Sequence, residues 1–171
     1  MIYLKMQNRG KMKKSTNQEG IRNLCLIAYE QLQHNKQDAE RRFVIRTVLR
    51  RAVEKTSGSI RSNKLKCNYI SDSARQELEY NFSELRADHV VPLSHLYKQL
   101  NKKTTVDSLI NLCHDFSTTC LITKAEDDVL NKLGLRKTLP DGLTNKWSRY
   151  KKASIEYTEI TPEYLKKIIQ A

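Results

Sequence analysis

Cysteine is sparse in this chain, and its four residues, Cys25, Cys67, Cys113 and Cys120, form no C-x-x-C pair. That excludes the disulfide framework of a small secreted domain and the commonest zinc knuckles. The thiols are therefore expected to be reduced, in a cytoplasmic setting. Long apolar runs are missing too. The opening MIYLKMQNRGKMKK is charged from Lys5 onward and has no apolar h-region, so the sequence predicts neither a secretory leader nor a membrane span, and no membrane partner. No internal repeat is found. Acidic residues are in short supply, 19 against 31 lysines and arginines, for a formal net charge of +12.

That excess points toward polyanionic partners, DNA first and RNA as the alternative. It is unevenly spread. Residues 1–66 carry 16 basic and 5 acidic side chains, whereas residues 67–171 carry 15 and 14. A chain of 171 residues can bury most of its apolar surface within one compact domain, or a core with a helical appendage.

Residues 1–18 read as a flexible basic arm without periodicity. Ile21, Leu24, Cys25, Ala28 and Leu32 then recur at helical spacing and predict a helix over 20–34. A second helix, 38–56, is expected to turn Phe43, Ile45, Val48, Leu49, Ala52 and Val53 inward. Arg42, Arg46 and Arg50 share its outer stripe at i, i+4 and i+8, a spacing on which each guanidinium could fork onto a phosphate; a solvated helix face would look the same. Residues 56–63 read as a loop and 19–66 as a basic helical region.

Beyond it, Asp72 is placed to cap a helix over 73–84. Ala87–Leu93 reads as a strand stopped by Pro92. Short helices are expected over 94–101 and 106–116, and a second strand over 118–123. Thr123 and Glu126 have the spacing of a capping box opening a helix over 124–133, which Gly134 ends. Pro140, Asp141 and Gly142 mark a turn. A closing helix starts at Thr161-Pro162, with Tyr164, Leu165, Ile168 and Ile169 as its core face.

Chemistry concentrates at Asp88-His89, at the end of the first strand, and on the acidic helix that follows the second. Phosphodiester hydrolysis needs a base to activate water and a divalent cation to neutralise developing charge. Successive strand residues face opposite ways, so Asp88 and His89 share one site only if the backbone bends, as Pro92 would allow. Asp127 and Asn131, at i and i+4, share a helix face and could supply two oxygen ligands.

The segment Asp88-His89-Val90-Val91-Pro92-Leu93, with Leu121 through Asn131 (L-I-T-K-A-E-D-D-V-L-N), resembles the HNH (ββα-metal) endonuclease superfamily. It is also similar to short phage- and plasmid-type HNH-like proteins with an H-V-x-P strand, a T-K-x-E-D helix start, a downstream Pro and a W-x-x-Y element, as at Trp147–Tyr150. The likeness covers about residues 72–155. It implies an α+β fold, mostly helical with a small ββα-metal core over 67–139 and a C-terminal helical segment over 140–171. It also implies His89 as general base, Asp88 as metal ligand or His-orienting group, and Asp127 or Asn131 near the cation. Two family features are missing, the final helix His and the paired C-x-x-C knuckles. An acidic residue in place of the His favours Mg²⁺, with Mn²⁺ as the alternative, over zinc; it equally suits a site that has lost its chemistry.

Each residue also has a plainer account. Glu126 is explained by the capping box, and Asp127 and Asp128 suit a helix N-terminus with or without a metal. Cys67, Cys113, His114 and Cys120 could gather into a structural zinc site, but their spacing argues against it. His34 and His95 read as surface or helix residues. Trp147, Arg149 and Tyr150, with Lys151 and Lys152, could grip a nucleic acid, although aromatic anchoring of the C-terminal segment is the more ordinary role. The leading expectation is a metal-dependent endonuclease acting on DNA. The alternative is a non-catalytic nucleic-acid-binding or regulatory protein on a degenerate HNH-like scaffold, and a third is a phage-type protein whose basic face meets an acidic partner. A homodimer would suit a restriction-like enzyme, though no residue specifies one.

Overall fold

A computed structural model describes residues 2–34, 38–56, 64–140 and 145–169. In chain order the elements are helices α1 (Ile2–Gln33) and α2 (Ala39–Thr56), a 3-10 turn (Lys64–Lys66), strand β1 (Tyr69–Ser71), α3 (Asp72–Glu77), β2 (Arg86–His89), α4 (Leu93–Lys98), α5 (Val106–Asp115), β3 (Thr119–Ile122), α6 (Lys124–Lys132), α7 (Ser148–Lys152), β4 (Tyr157–Glu159) and α8 (Pro162–Ile169). The fold is α+β and mostly helical, with one four-stranded sheet. None of the described helices is long and apolar enough to cross a membrane.

The chain groups into two units that do not follow a simple sequential division. One comprises residues 1–56 and 101–114, the other 57–100 and 115–171. Segment 101–114, expected within the core over 67–139, belongs to the helical unit, where Cys113 and Asp107 of α5 meet Cys25 and Arg22 of α1. The segment over 140–171, expected to be helical, adds a strand to the sheet.

In the helical unit the predicted stripe of α1 is buried at Ile21, Cys25, Ala28 and Leu32, and that of α2 at Ile45, Leu49, Ala52 and Val53. Two expectations are corrected. The stretch read as an arm continues α1, which begins at Ile2. Phe43 is 68% exposed; it lies two residues before Ile45, about 200° around the helix and so off the buried stripe.

In the sheet unit the strand order is β2-β3-β1-β4. Strand β3 runs antiparallel to β2 and parallel to β1, and β4 is antiparallel to β1 at the edge. Side chains of β3 alternate between two apolar layers. Leu121 joins Cys67, Ile70, Ala74, Leu78, Leu85, Ile160 and Leu165 on one face, while Cys120 and Ile122 join Val90, Leu130, Leu135, Trp147, Tyr150 and Ile155 on the other. A strand covered on both faces has no polar side, which is why T-C-L-I is buried throughout.

Local chemistry sets the helix ends. Thr123 and Glu126 form the predicted capping box of α6. At its C-terminus Gly134 takes φ +70°, letting Leu135 N–H donate to Leu130 carbonyl at 2.8 Å and Gly134 N–H to Asn131 carbonyl at 3.0 Å. This is the reversal that glycine adopts without a Cβ penalty. The cap of α3 is Ser71, not Asp72: its hydroxyl accepts from Ala74 N–H at 3.0 Å, and the helix ends at Glu77 rather than near 84. On α8, Leu165 is buried but Tyr164, expected in the core, is 50% exposed. The loop expected over 56–63 lies outside the described residues beyond Thr56, as do Asp141 and Gly142 of the predicted turn.

Candidate functional site

Strand β2 presents Asp88 and His89 opposite Cys120 and Thr119 of β3. Alternation along the strand sends Asp88 to the same face as Val90, which packs with Tyr150, Ile122 and Leu130. Asp88 is met there by two partners from α7. Its Oδ2 accepts from the Arg149 guanidinium and, at 2.6 Å, from the Tyr150 hydroxyl. Arg149 is 1% exposed, and its other donors reach the carbonyls of Val90 at 2.8 Å, Leu135 at 3.4 Å and His89. One planar cation thus ties the end of β2, the turn after α6 and α7 together, a task suited to its fixed fork of donors.

The electrostatics follow from this enclosure. Asp88 retains 24% of its side-chain exposure. Burial pushes its carboxyl above the usual carboxylate range and the charge of Asp127 adds to this, while Arg149, Tyr150 and His89 pull the other way. The Tyr150 phenol is raised well above its ordinary value by burial and by Asp88, and so stays a donor at neutral pH.

His89 is half-buried, and its Nδ1 has essentially no exposed surface. Strand alternation turns it toward the Thr119 side of the sheet, away from the face on which Asp88 meets α7. Asp127 and Asn131 are both half-buried whereas Asp128 is exposed, so the i, i+4 pair shares the inner flank of α6 as expected. Glu126 is committed elsewhere: its Oε2 accepts from Thr123 N–H at 2.9 Å, Thr123 Oγ1 at 3.2 Å and Ser71 Oγ at 2.6 Å.

The implied divalent cation does not fit Asp88 as the chain holds it. Its carboxylate already accepts a guanidinium and a phenol, and a fixed positive charge in contact with a ligand opposes a second cation there. Among the described residues no group of three or more His, Cys, Asp and Glu side chains gathers around a common point. Cys113 lies in the helical unit and Cys67 and Cys120 in the sheet unit, all buried and unbridged.

The residues expected to meet nucleic acid separate into two groups. Arg42, Arg46 and Arg50 are exposed along α2, as are Lys151 and Lys152 on α7. Arg50 also donates to Glu54 at 3.2 Å, and Arg51 to the same carboxylate at 3.4 Å. Arg149 is a correction: at 1% exposure, with four hydrogen bonds to groups of the sheet unit, its guanidinium faces inward rather than toward a phosphate. Trp147 stacks on Tyr157 at 3.6 Å between ring centroids and meets Tyr69 edge-on at 4.7 Å, so it anchors the C-terminal segment. Sequence reading missed Tyr150 as the partner of Asp88, because contacts across 62 residues leave no local pattern.

No protein-family model, curated protein or solved structure matches this chain.

Proposed function

We propose that the chain is a nucleic-acid-binding protein built on an HNH-like ββα scaffold, in which the aspartate of the Asp-His pair serves as a buried strut. The observation that carries the reading is the row of three exposed arginines, Arg42, Arg46 and Arg50, along one stripe of α2 in the more basic part of the chain. At i, i+4 and i+8 their guanidiniums follow the helix axis over roughly 12 Å, enough to meet successive phosphates. The antiparallel pair β2 and β3 followed directly by the capped α6 supports the scaffold half of the proposal. So does the engagement of Asp88 by Arg149 and Tyr150.

The test is fluorescence anisotropy with short duplex DNA and RNA of mixed sequence between 50 and 500 mM salt, concentrations chosen to bracket the steep part of counterion release. Affinity is expected to fall by orders of magnitude across that range, and Arg42→Glu/Arg46→Glu/Arg50→Glu to abolish binding at the upper end. Affinity independent of salt would refute the proposal.

A second reading, hydrolysis of DNA with His89 as base, is favoured by one observation: the charge of Asp127 acts on Asp88, adding to the upward push of burial on its carboxyl, and a quarter of the Asp88 side chain stays exposed. Supercoiled plasmid with Mg²⁺ or Mn²⁺ separates the readings. Nicking by the wild type that is lost in Asp88→Ala/His89→Ala would replace the binder by an enzyme.

A further inference from the structure

Neither reading uses any of the four thiols, and two of them stand in contact. Cys25 lies on the buried stripe of α1 and Cys113 on that of α5; both are fully buried, and their sulfurs stand 3.9 Å apart. An exposed ion pair, Arg22 to Asp107 at 3.2 Å, holds the same two helices. A disulfide requires the sulfurs to close by a further roughly 2 Å. We propose that Cys25 and Cys113 form a redox-closed lock that joins α5 covalently to α1 within the helical unit.

The chemistry is thiol–disulfide exchange with a small disulfide of the oxidised-glutathione class. One thiolate attacks a sulfur of the small disulfide and releases one small thiol; the second thiolate attacks the resulting mixed disulfide and releases the other. Two protein thiols are thereby oxidised and one small disulfide is reduced to two thiols. Either sulfur can donate across this contact, and the hydrogen bond with Cys113 lowers the Cys25 pKa, which favours Cys25 as the first nucleophile. Both sulfurs are out of solvent, so closure follows local opening of the helical unit and is slow under native conditions. The linked residues are 88 positions apart. A bridge over so long a loop restricts the unfolded chain and is expected to raise the thermal midpoint by about 5–10 °C.

The experiment incubates the full chain with oxidised glutathione in mild urea, blocks remaining thiols by alkylation, and maps linked peptides by mass spectrometry without reduction. The expected product is a single peptide pair joining Cys25 to Cys113, with Cys67 and Cys120 alkylated and a raised midpoint that a reductant reverses. Cys113→Ser should lose both the link and the shift, while the wild-type map stands without that variant. A link between Cys67 and Cys120, a mixture of pairings, glutathione adducts without an internal bridge, or four alkylated thiols would each overturn the lock.

Discussion

The two units use charge in opposite directions. In the helical unit the buried stripes of α1, α2 and α5 are apolar apart from two thiols and Glu54 near the end of α2, which the partly exposed Arg50 and Arg51 meet, and the arginine row of α2 faces outward. The sheet unit takes charge inward: Arg149, nearly inaccessible, joins Asp88 and three backbone carbonyls, and Glu126 gathers the hydroxyls that cap α3 and α6. Apolar stripes accept substitution as long as volume is kept. A buried polar network fails when a single member is removed, because the remaining donors and acceptors stay desolvated.

Arg149→Leu is the most direct way to break that distinction. It strands the Asp88 carboxylate and the carbonyls of Val90, Leu135 and His89, and is expected to cost about 3–5 kcal/mol. Arg149→Lys should recover little of this, since one ammonium cannot reproduce the fork. Urea unfolding followed by circular dichroism reads both. A loss no greater than that of Arg46→Leu on α2 would show that the sheet unit does not depend on its buried cation.

A slightly smaller effect is expected at high pH. Burial pushes the Cys67 thiol up from 9.0 to about 12. The neutral thiol is therefore favoured by the fold: its contribution is complete below pH 9 and is lost as pH rises through about 12, a change of roughly 4 kcal/mol. Stability measured against pH should fall across this window, and Cys67→Ala should flatten the limb. An unchanged slope in the variant would assign the alkaline loss to other groups. Thr123→Ala comes next, at about 1 kcal/mol for a lost N-cap, read as a fall in unfolding midpoint. Because Glu126 Oε2 also holds Ser71, a loss shared with Ser71→Ala, with the double variant less than additive, would show that the caps of α3 and α6 act together.

Much of the fold was legible wherever one local rule sufficed. Helical spacing located the buried stripes of α1 and α2, and the Thr123 and Glu126 spacing located the start of α6. Strands β1 and β4 were not legible. Each is three residues long, too short for alternation to register, and each exists because β3 and β1 offer it a partner from far along the chain. For the candidate site, the shared flank of Asp127 and Asn131 followed from helix geometry, whereas the fate of Asp88 did not. Its neighbours come from α7, about sixty residues later, and reading Arg149 beside Lys151 and Lys152 as one basic cluster hid that its side chain turns inward.

The smallest effects test the outward-facing half of the comparison. If α2 follows a phosphate backbone, its three arginines should not contribute equally. Arg50 shares Glu54 with Arg51, and that carboxylate has only 10% of its side chain exposed, so part of the Arg50 charge is already neutralised. Arg42→Ala should reduce the slope of log affinity against log salt by about 1, the value for one released phosphate contact, and Arg50→Ala by clearly less. Glu54→Gln should act in the reverse sense, freeing two guanidiniums and steepening the slope. Equal losses at positions 42 and 50, with no gain from Glu54→Gln, would mean that net charge alone drives association and that the stripe along α2 is a solvated face.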